Sequence, residues 1–266
     1  MKLVVQGREA YAYTGGKPFD PRLPCVVFIH GALHDHSVWT LLARWCAHHG
    51  FSVLAIDLPG HMKSAGPALE TVEAMADWVL ALLDAAGVQQ AALVGHSMGS
   101  LVALEAAGRA PERASRLVMV GTAYPMKVSP ALLELARSQP LAAIDLVTTL
   151  SYSSIAQKPG YPGPGAWVRG GGRALCRLVL AKQDNPMLYH QDFAACDAYR
   201  GALDAAAKVT ARTTLILGRR DQMTPPKAAH DIGVALKAHI ETVDAGHVLM
   251  AEAPDATLAA LRRALA

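Results

Sequence analysis

One serine stands out for chemistry. In Gly95-His96-Ser97-Met98-Gly99 it falls where an apolar run, Ala91 to Val94, gives way to a helical pattern from Met98 to Ala107. A serine on so sharp a strand-to-helix turn has strained backbone angles, and small residues around it let the turn close. Its hydroxyl then projects above the sheet. The next amide, that of Met98, lies at a helix N-terminus, where it stabilises negative charge. Taken alone, the pentapeptide fits a serine capping a tight turn equally well. A serine hydroxyl is a weak nucleophile that needs a base, and the base needs an orienting acid. Asp221, in Gly218-Arg219-Arg220-Asp221, follows the predicted strand Arg212 to Leu217. His247, in Asp244-Ala245-Gly246-His247, follows the predicted strand His239 to Val243. Both fall at strand C-terminal ends, in the order serine, aspartate, histidine. A fourth piece is a second amide for the oxyanion of an acyl-transfer intermediate. His30-Gly31-Ala32-Leu33 follows the apolar run Cys25 to Ile29, and the Ala32 N–H is the expected partner of the Met98 N–H.

Other polar groups weigh less. His34-Asp35-His36 has the residue types of a metal cluster, but all three share one loop without a distant partner of matching spacing. No metal is expected, and a role in orienting the loop after Cys25–Ile29 is preferred. His48-His49 reads as an exposed helix end, and His96 as structural, because a base must reach the serine oxygen from another loop. Asp57 reads as a loop-closing hydrogen-bond partner. Asp244 is the rival acid, although its side chain is expected to cap the loop through Ala245-Gly246. Trp39, Trp167, Tyr124, Tyr152 and Tyr189 are candidates for a pocket wall, with core packing the default.

These residues need a sheet to bring them together. Leu3 to Val5 and Glu9 to Tyr13 read as an opening hairpin. Cys25 to Ile29 and Ser52 to Ile56 are continuous apolar runs, the pattern of strands buried on both faces. Ser37 is expected to cap a helix through about His48, ended by Gly50, and Thr71 to Ala86 is helical up to Gly87. With a further strand over Arg116 to Val120, the alternation predicts an α/β fold, a predominantly parallel sheet flanked by helices. The strand rhythm lapses between Tyr124 and Ala207. That segment predicts a helical insertion over the strand ends, residues 124–207, within a core made of residues 1–123 and 208–266. Gly170-Gly171-Gly172 has neither a preceding strand nor the spacing of a dinucleotide fingerprint, so it reads as a flexible connector.

Composition excludes several classes. The 266 residues are 52% hydrophobic with a net charge of +3, unlike a disordered chain. No dense basic run points to nucleic acid. Between Tyr124 and Ala207, eight Lys or Arg face six Asp or Glu, too small an excess to predict an anionic substrate. Cys25, Cys46, Cys176 and Cys196 form no paired motif and read as buried thiols. The apolar stretch Ala91 to Gly108 contains His96, Ser97, Ser100 and Glu105, which argues against a membrane span. The N-terminal apolar stretch is too short for a signal peptide, so a cytoplasmic protein is expected.

With these residues in place, the chain resembles the α/β-hydrolase superfamily, and within it esterase-like enzymes with a helical cap after the sixth strand. The resemblance rests on His30-Gly31, on Asp57-Leu58-Pro59-Gly60-His61, on the Ser97 turn, on Asp221 and on His247. It implies Ser97 as nucleophile, Asp221 as acid, His247 as base, Ala32 and Met98 as oxyanion donors, no cofactor, and a small ester-like substrate. Met62 stands where the family pattern has a second glycine. The same triad also serves thioester, lactone and C–C hydrolysis and cyanohydrin cleavage, and some receptors keep the fold without turnover. Ser97 argues against the dehalogenase and epoxide-hydrolase chemistry that uses aspartate at this turn.

Overall fold

The computed structural model describes residues 1–182 and 184–266. β1 (Lys2–Val5) and β2 (Arg8–Tyr13) form an antiparallel hairpin whose turn, Gln6-Gly7, has positive φ at both residues. β2 then pairs antiparallel with β4 (Ser52–Ile56). β3 (Cys25–Ile29), β4, β5 (Ala91–His96), β6 (Ala114–Val120), β7 (Arg212–Gly218) and β8 (His239–Val243) run parallel to one another. The spatial order is β1-β2-β4-β3-β5-β6-β7-β8.

Helices cover both faces, which is why the inner strands read as unbroken apolar runs. Val27 and Ile29 face the layer of α2 (Val72–Ala85) and α3 (Met98–Arg109). Val26 and Phe28 face α1 (Thr40–His48) and, across the sheet, the C-terminal helix. α2 starts where predicted, with the Thr71 hydroxyl accepting from Ala74 N. The start before α1 differs from expectation. A 3₁₀ turn, His36–Trp39, comes first, and Asp35, rather than Ser37, caps it through Ser37 N. A carboxylate at this position also takes the Ser37 hydroxyl, 2.5 Å away, so Ser37 serves as donor instead of cap.

Between β6 and β7 lie α4 (Pro130–Ser138), α5 (Pro140–Ser151), α6 (Val168–Lys182), α7 (Leu188–Ala198) and α8 (Ala202–Ala206), with no strand among the described residues. α4 to α7 share an apolar cluster that includes Ala136, Ile144, Val179, Leu188, Tyr189 and Phe193, while Ala202, Ala205 and Ala206 of α8 pack in the core with α3. The glycine run corrects the sequence reading. Gly170, Gly171 and Gly172 are not a connector but the first turns of α6. Glycine costs about 1 kcal/mol in a helix interior, yet a Cβ at Gly172 would strike the Tyr152 hydroxyl, and one at Gly170 the Trp167 ring. Close packing, and not chain flexibility, accounts for those two glycines.

After β7 come α9 (His230–Ala235), β8, α10 (Leu249–Glu252) and α11 (Pro254–Leu265), whose Ala260, Leu261 and Ala264 complete the second face. Among the described residues no helix is long and apolar enough to cross a membrane.

Candidate active site

β5 runs on through His96, two residues beyond the predicted end, and delivers the chain directly into Ser97. Ser97 has φ 52° and ψ −120°, the strained geometry expected of the turn. The glycines make it possible. A Cβ at Gly95 would overlap the Gly99 carbonyl, and one at Gly99 would overlap the Ile29 carbonyl. The turn is anchored by Ser97 N donating to Val120 O at 2.9 Å, and by the Ser100 hydroxyl on Ser97 O. Met98 begins α3, so its N–H has no acceptor within the helix.

Asp221 and His247 meet on the adjoining loops. His247 Nδ1 lies 2.8 Å from Asp221 Oδ2, and both side chains are buried. The other Asp221 oxygen accepts from Met223 N and Thr224 N, each at 2.8 Å. The Thr224 hydroxyl donates to Asp221 Oδ2 at 2.7 Å, and its oxygen lies 3.1 Å from His247 Nδ1. Burial alone raises a carboxyl pKa. Here the facing His247, its hydrogen bond and the Thr224 donors outweigh burial and hold Asp221 below the usual carboxylate range. Thr224 gave no signal in the sequence, because its role depends on how the loop after β7 folds back.

The His247 backbone is fixed from two sides. Its N–H donates to Ser151 O, the last residue of α5, at 2.8 Å, and its carbonyl accepts from His96 Nε2 at 2.9 Å. His96 thus has the structural role expected of it. Its Nδ1 has no partner, and burial drives its pKa well below the ordinary value, so the ring is neutral. Asp244 does not reach His247. It forms a bidentate pair with Arg220, 2.9 Å to each oxygen, in an exposed position. Capping of Ala245-Gly246 falls instead to buried Glu252, which accepts from Gly246 N and also from Ser153 N just beyond α5. The sequence reading missed Glu252. It lies five residues beyond the histidine in a helical pattern, with nothing local to mark it.

The loop after β3 brings Gly31, Ala32 and His34 to the same cavity as Ser97 and His247. His34 is half-buried, and loss of hydration together with nearby His247 and His61 holds its pKa at about 4. Leu33 has φ 51°, and its N–H donates to Asp192 Oδ2 on α7 at 2.8 Å. The expectation that His34-Asp35-His36 lacks a distant partner is corrected. Asp57 joins Asp35 and His36, and one ligand-type atom from each lies within 4.8 Å of the others. His36 N and Nδ1 contact Asp57 Oδ1 at 2.8 and 2.7 Å, and Lys63 N donates to Asp57 Oδ2. Asp57 therefore ties two loops together, as expected of it. Met62 keeps a left-handed φ of 38° where the family pattern has glycine, and its side chain packs on the apolar cluster of the α4–α7 helices.

The cavity measures about 40 Å³, room for roughly three waters. Of the aromatic candidates, Tyr152 and Tyr189 line it, joined by Phe193. Trp39 is core, Trp167 is exposed on the outer surface, and the Tyr124 hydroxyl donates to Arg200 O. Cys176 of α6 also lines the wall. Burial pushes its thiol up to about 12, which keeps it protonated and non-nucleophilic. All four cysteines are free and buried. No Lys, Arg, Asp or Glu lines the cavity among the described residues.

Comparison with known proteins agrees with this architecture. Residues 24–143 match the family described as alpha/beta hydrolase fold. The enol-lactonase of Burkholderia xenovorans superposes with a TM-score of 0.85 at 24% identity, covering 100% of this chain and 99% of that one. A carboxylesterase of Bacillus subtilis is 31% identical over 103 residues, 38% of this chain and 34% of the relative. The dihydrolipoyllysine-residue acetyltransferase component of the Pseudomonas putida acetoin cleaving system is 39% identical over 100 residues, 37% of this chain. The match spans only 26% of that relative's length.

Proposed function

From the premise that this chain has the α/β-hydrolase fold and resembles its esterase-like members, we propose that it is a serine hydrolase cleaving a small, uncharged carboxylic ester. One observation carries the reading. Ser97, held at a left-handed turn, and His247, with its Nδ1 bound by Asp221, open onto a single cavity. With Nδ1–H directed at the carboxylate, Nε2 is the free lone pair that takes a proton.

In this mechanism the Ser97 oxygen bonds to the acyl carbon as its proton passes to His247. The carbonyl electrons move onto oxygen, and the Ala32 and Met98 amides hold that charge. When the tetrahedral intermediate collapses, the alkoxide leaves with the proton from His247, giving an acyl-serine and a free alcohol. Water then loses a proton to His247 and attacks the same carbon. The Ser97 oxygen departs and recovers its proton, which frees the acid. Asp221 stabilises the imidazolium in both halves.

The lack of charged residues in the cavity wall supports a neutral acyl group. In this reading the helices over residues 124–207 act as a cap that shapes the acyl site. The test is a panel of esters, thioesters and lactones of graded acyl length, run on wild type and on Ser97→Ala. Turnover of short neutral esters, lost in Ser97→Ala, is the expected result. Hydrolysis confined to thioesters or lactones, or activity surviving in Ser97→Ala, would overturn it.

A further inference from the structure

The inserted helices contribute more than walls. Asp192, on α7, is wholly buried, and its Oδ2 reaches out of the insertion to two loops of the sheet. It accepts from Leu33 N at 2.8 Å and from His61 Nε2 at 3.1 Å. The other His61 nitrogen, Nδ1, lies 3.2 Å from Pro59 O. Both ring nitrogens therefore face oxygen acceptors, and only imidazolium donates to both. Burial alone lowers the His61 pKa, but the Asp192 charge and hydrogen bond and the Pro59 carbonyl outweigh it, and the net shift is upward. Asp192 and His61 thus form a buried ion pair, which is strongly destabilised when one member is removed.

Leu33 is the residue after Ala32, and its backbone has φ 51°, a conformation costly for a side chain of that size. Two contacts oppose its relaxation, and both come from the insertion. The Leu33 side chain is fully buried in the apolar cluster of α4 to α7, and its N–H is held by Asp192. The peptide plane between Ala32 and Leu33 is thereby fixed 159 residues away in sequence. Holding that plane restrains the ψ of Ala32 and the φ of Leu33, and with them the course of the loop that presents the Ala32 N–H.

We infer that Asp192 is a positioning residue for the oxyanion hole, acting through Leu33 to aim the Ala32 N–H, so that docking of the inserted helices sets the rate of chemistry as well as the choice of substrate. The inference rests on the proposed serine chemistry, and the experiment separates the two. A fluorophosphonate carries a P=O group that charges up as Ser97 attacks phosphorus and fluoride leaves, so its labelling rate reports the oxyanion hole without knowledge of the natural substrate. Wild-type protein must label at Ser97. If it does not, the nucleophile assignment fails, and this inference with it.

Given labelling, the maximal inactivation rate and the half-saturating probe concentration are measured for Asp192→Ala and Asp192→Asn. Loss of one oxyanion donor costs on the order of 10²- to 10³-fold, so Asp192→Ala is expected to slow the maximal rate by about 10²-fold with half-saturation nearly unchanged. Asp192→Asn retains an oxygen acceptor for Leu33 N and is expected to recover most of that rate, at least about tenfold over Ala. Asp192→Ala strands the His61 imidazolium and carries a folding risk. The double variant Asp192→Leu with His61→Leu removes the acceptor with no buried charge left behind, and the same slowing is expected there. A maximal rate within about threefold of wild type in Asp192→Ala or in the double variant, whichever folds, would overturn the inference, since donor loss predicts far more. So would a loss confined to half-saturation, or an Asn variant as slow as Ala, which would assign the effect to the ion pair instead of the Leu33 bond.

Discussion

At Ser97 the backbone strain and the proposed chemistry reside in one residue, so a single substitution separates them. Ser97→Ala is expected to keep the fold and lose turnover by about 10⁴-fold or more; retention within about tenfold of wild type would remove Ser97 from the mechanism. Asp221 and Asp244 make a second contrast. Asp221→Asn keeps the shape but favours the wrong imidazole tautomer, with an expected loss of about 10³- to 10⁴-fold. Asp244→Asn breaks only an exposed pair with Arg220 and is expected to change turnover by less than about threefold. The reverse ranking would move the acid to the histidine loop. Acid conditions test Asp221 again through stability. Its folded pKa lies below the unfolded value, so it contributes stability above about pH 4 and loses it as pH falls through the depressed value. The melting-temperature gap between wild type and Asp221→Asn should therefore close on acidification, and a gap independent of pH would contradict the assignment.

Elements place these residues through glycine contacts that tolerate no side chain. β5 meets α3 so closely that Gly95→Ala puts a methyl group into the Gly99 carbonyl. The expected cost is at least about 2 kcal/mol, a melting-temperature drop of about 4–8 °C for a chain of this size. A drop below about 2 °C would mean that β5 and α3 can part enough to admit the methyl group. α6 makes the same kind of approach to the cavity wall. Gly172→Ala forces the Tyr152 hydroxyl to shift, so KM for short esters should rise while fluorophosphonate still labels Ser97. Unchanged KM across the acyl series would detach that wall from substrate choice.

The whole molecule holds the His247 and Leu33 loops from one side. The end of α5 binds His247 N, and α7 binds Leu33 N, so the insertion grips both the proposed base and the proposed oxyanion loop. Exchanging residues 124–207 for another helical cap should shift acyl-length preference. It should also slow fluorophosphonate labelling unless the new cap supplies an acceptor where Asp192 stands. An exchange variant that folds, with an unaltered preference profile and labelling rate, would leave the insertion no part in either.

Sequence by itself determined whatever depends on neighbours along the chain. Unbroken apolar runs marked strands covered on both faces, helical periodicity marked α2 and α3, and the glycines around Ser97 marked a turn that must be tight. The order of Ser97, Asp221 and His247 at strand ends followed from the same periodicities. Only the tertiary structure decided the contacts between segments: Asp192 to Leu33, Glu252 to Gly246 and Ser153, Arg220 to Asp244. None of these leaves a local trace, because a carboxylate has the same propensities whether it ends in solvent or beneath another loop. Gly170-Gly171-Gly172 makes the point in reverse. Local preference disfavours a helix there by about 1 kcal/mol per glycine, and the close approach of Tyr152 and Trp167, which only the folded chain creates, makes the lack of side chains at Gly170 and Gly172 the condition for packing.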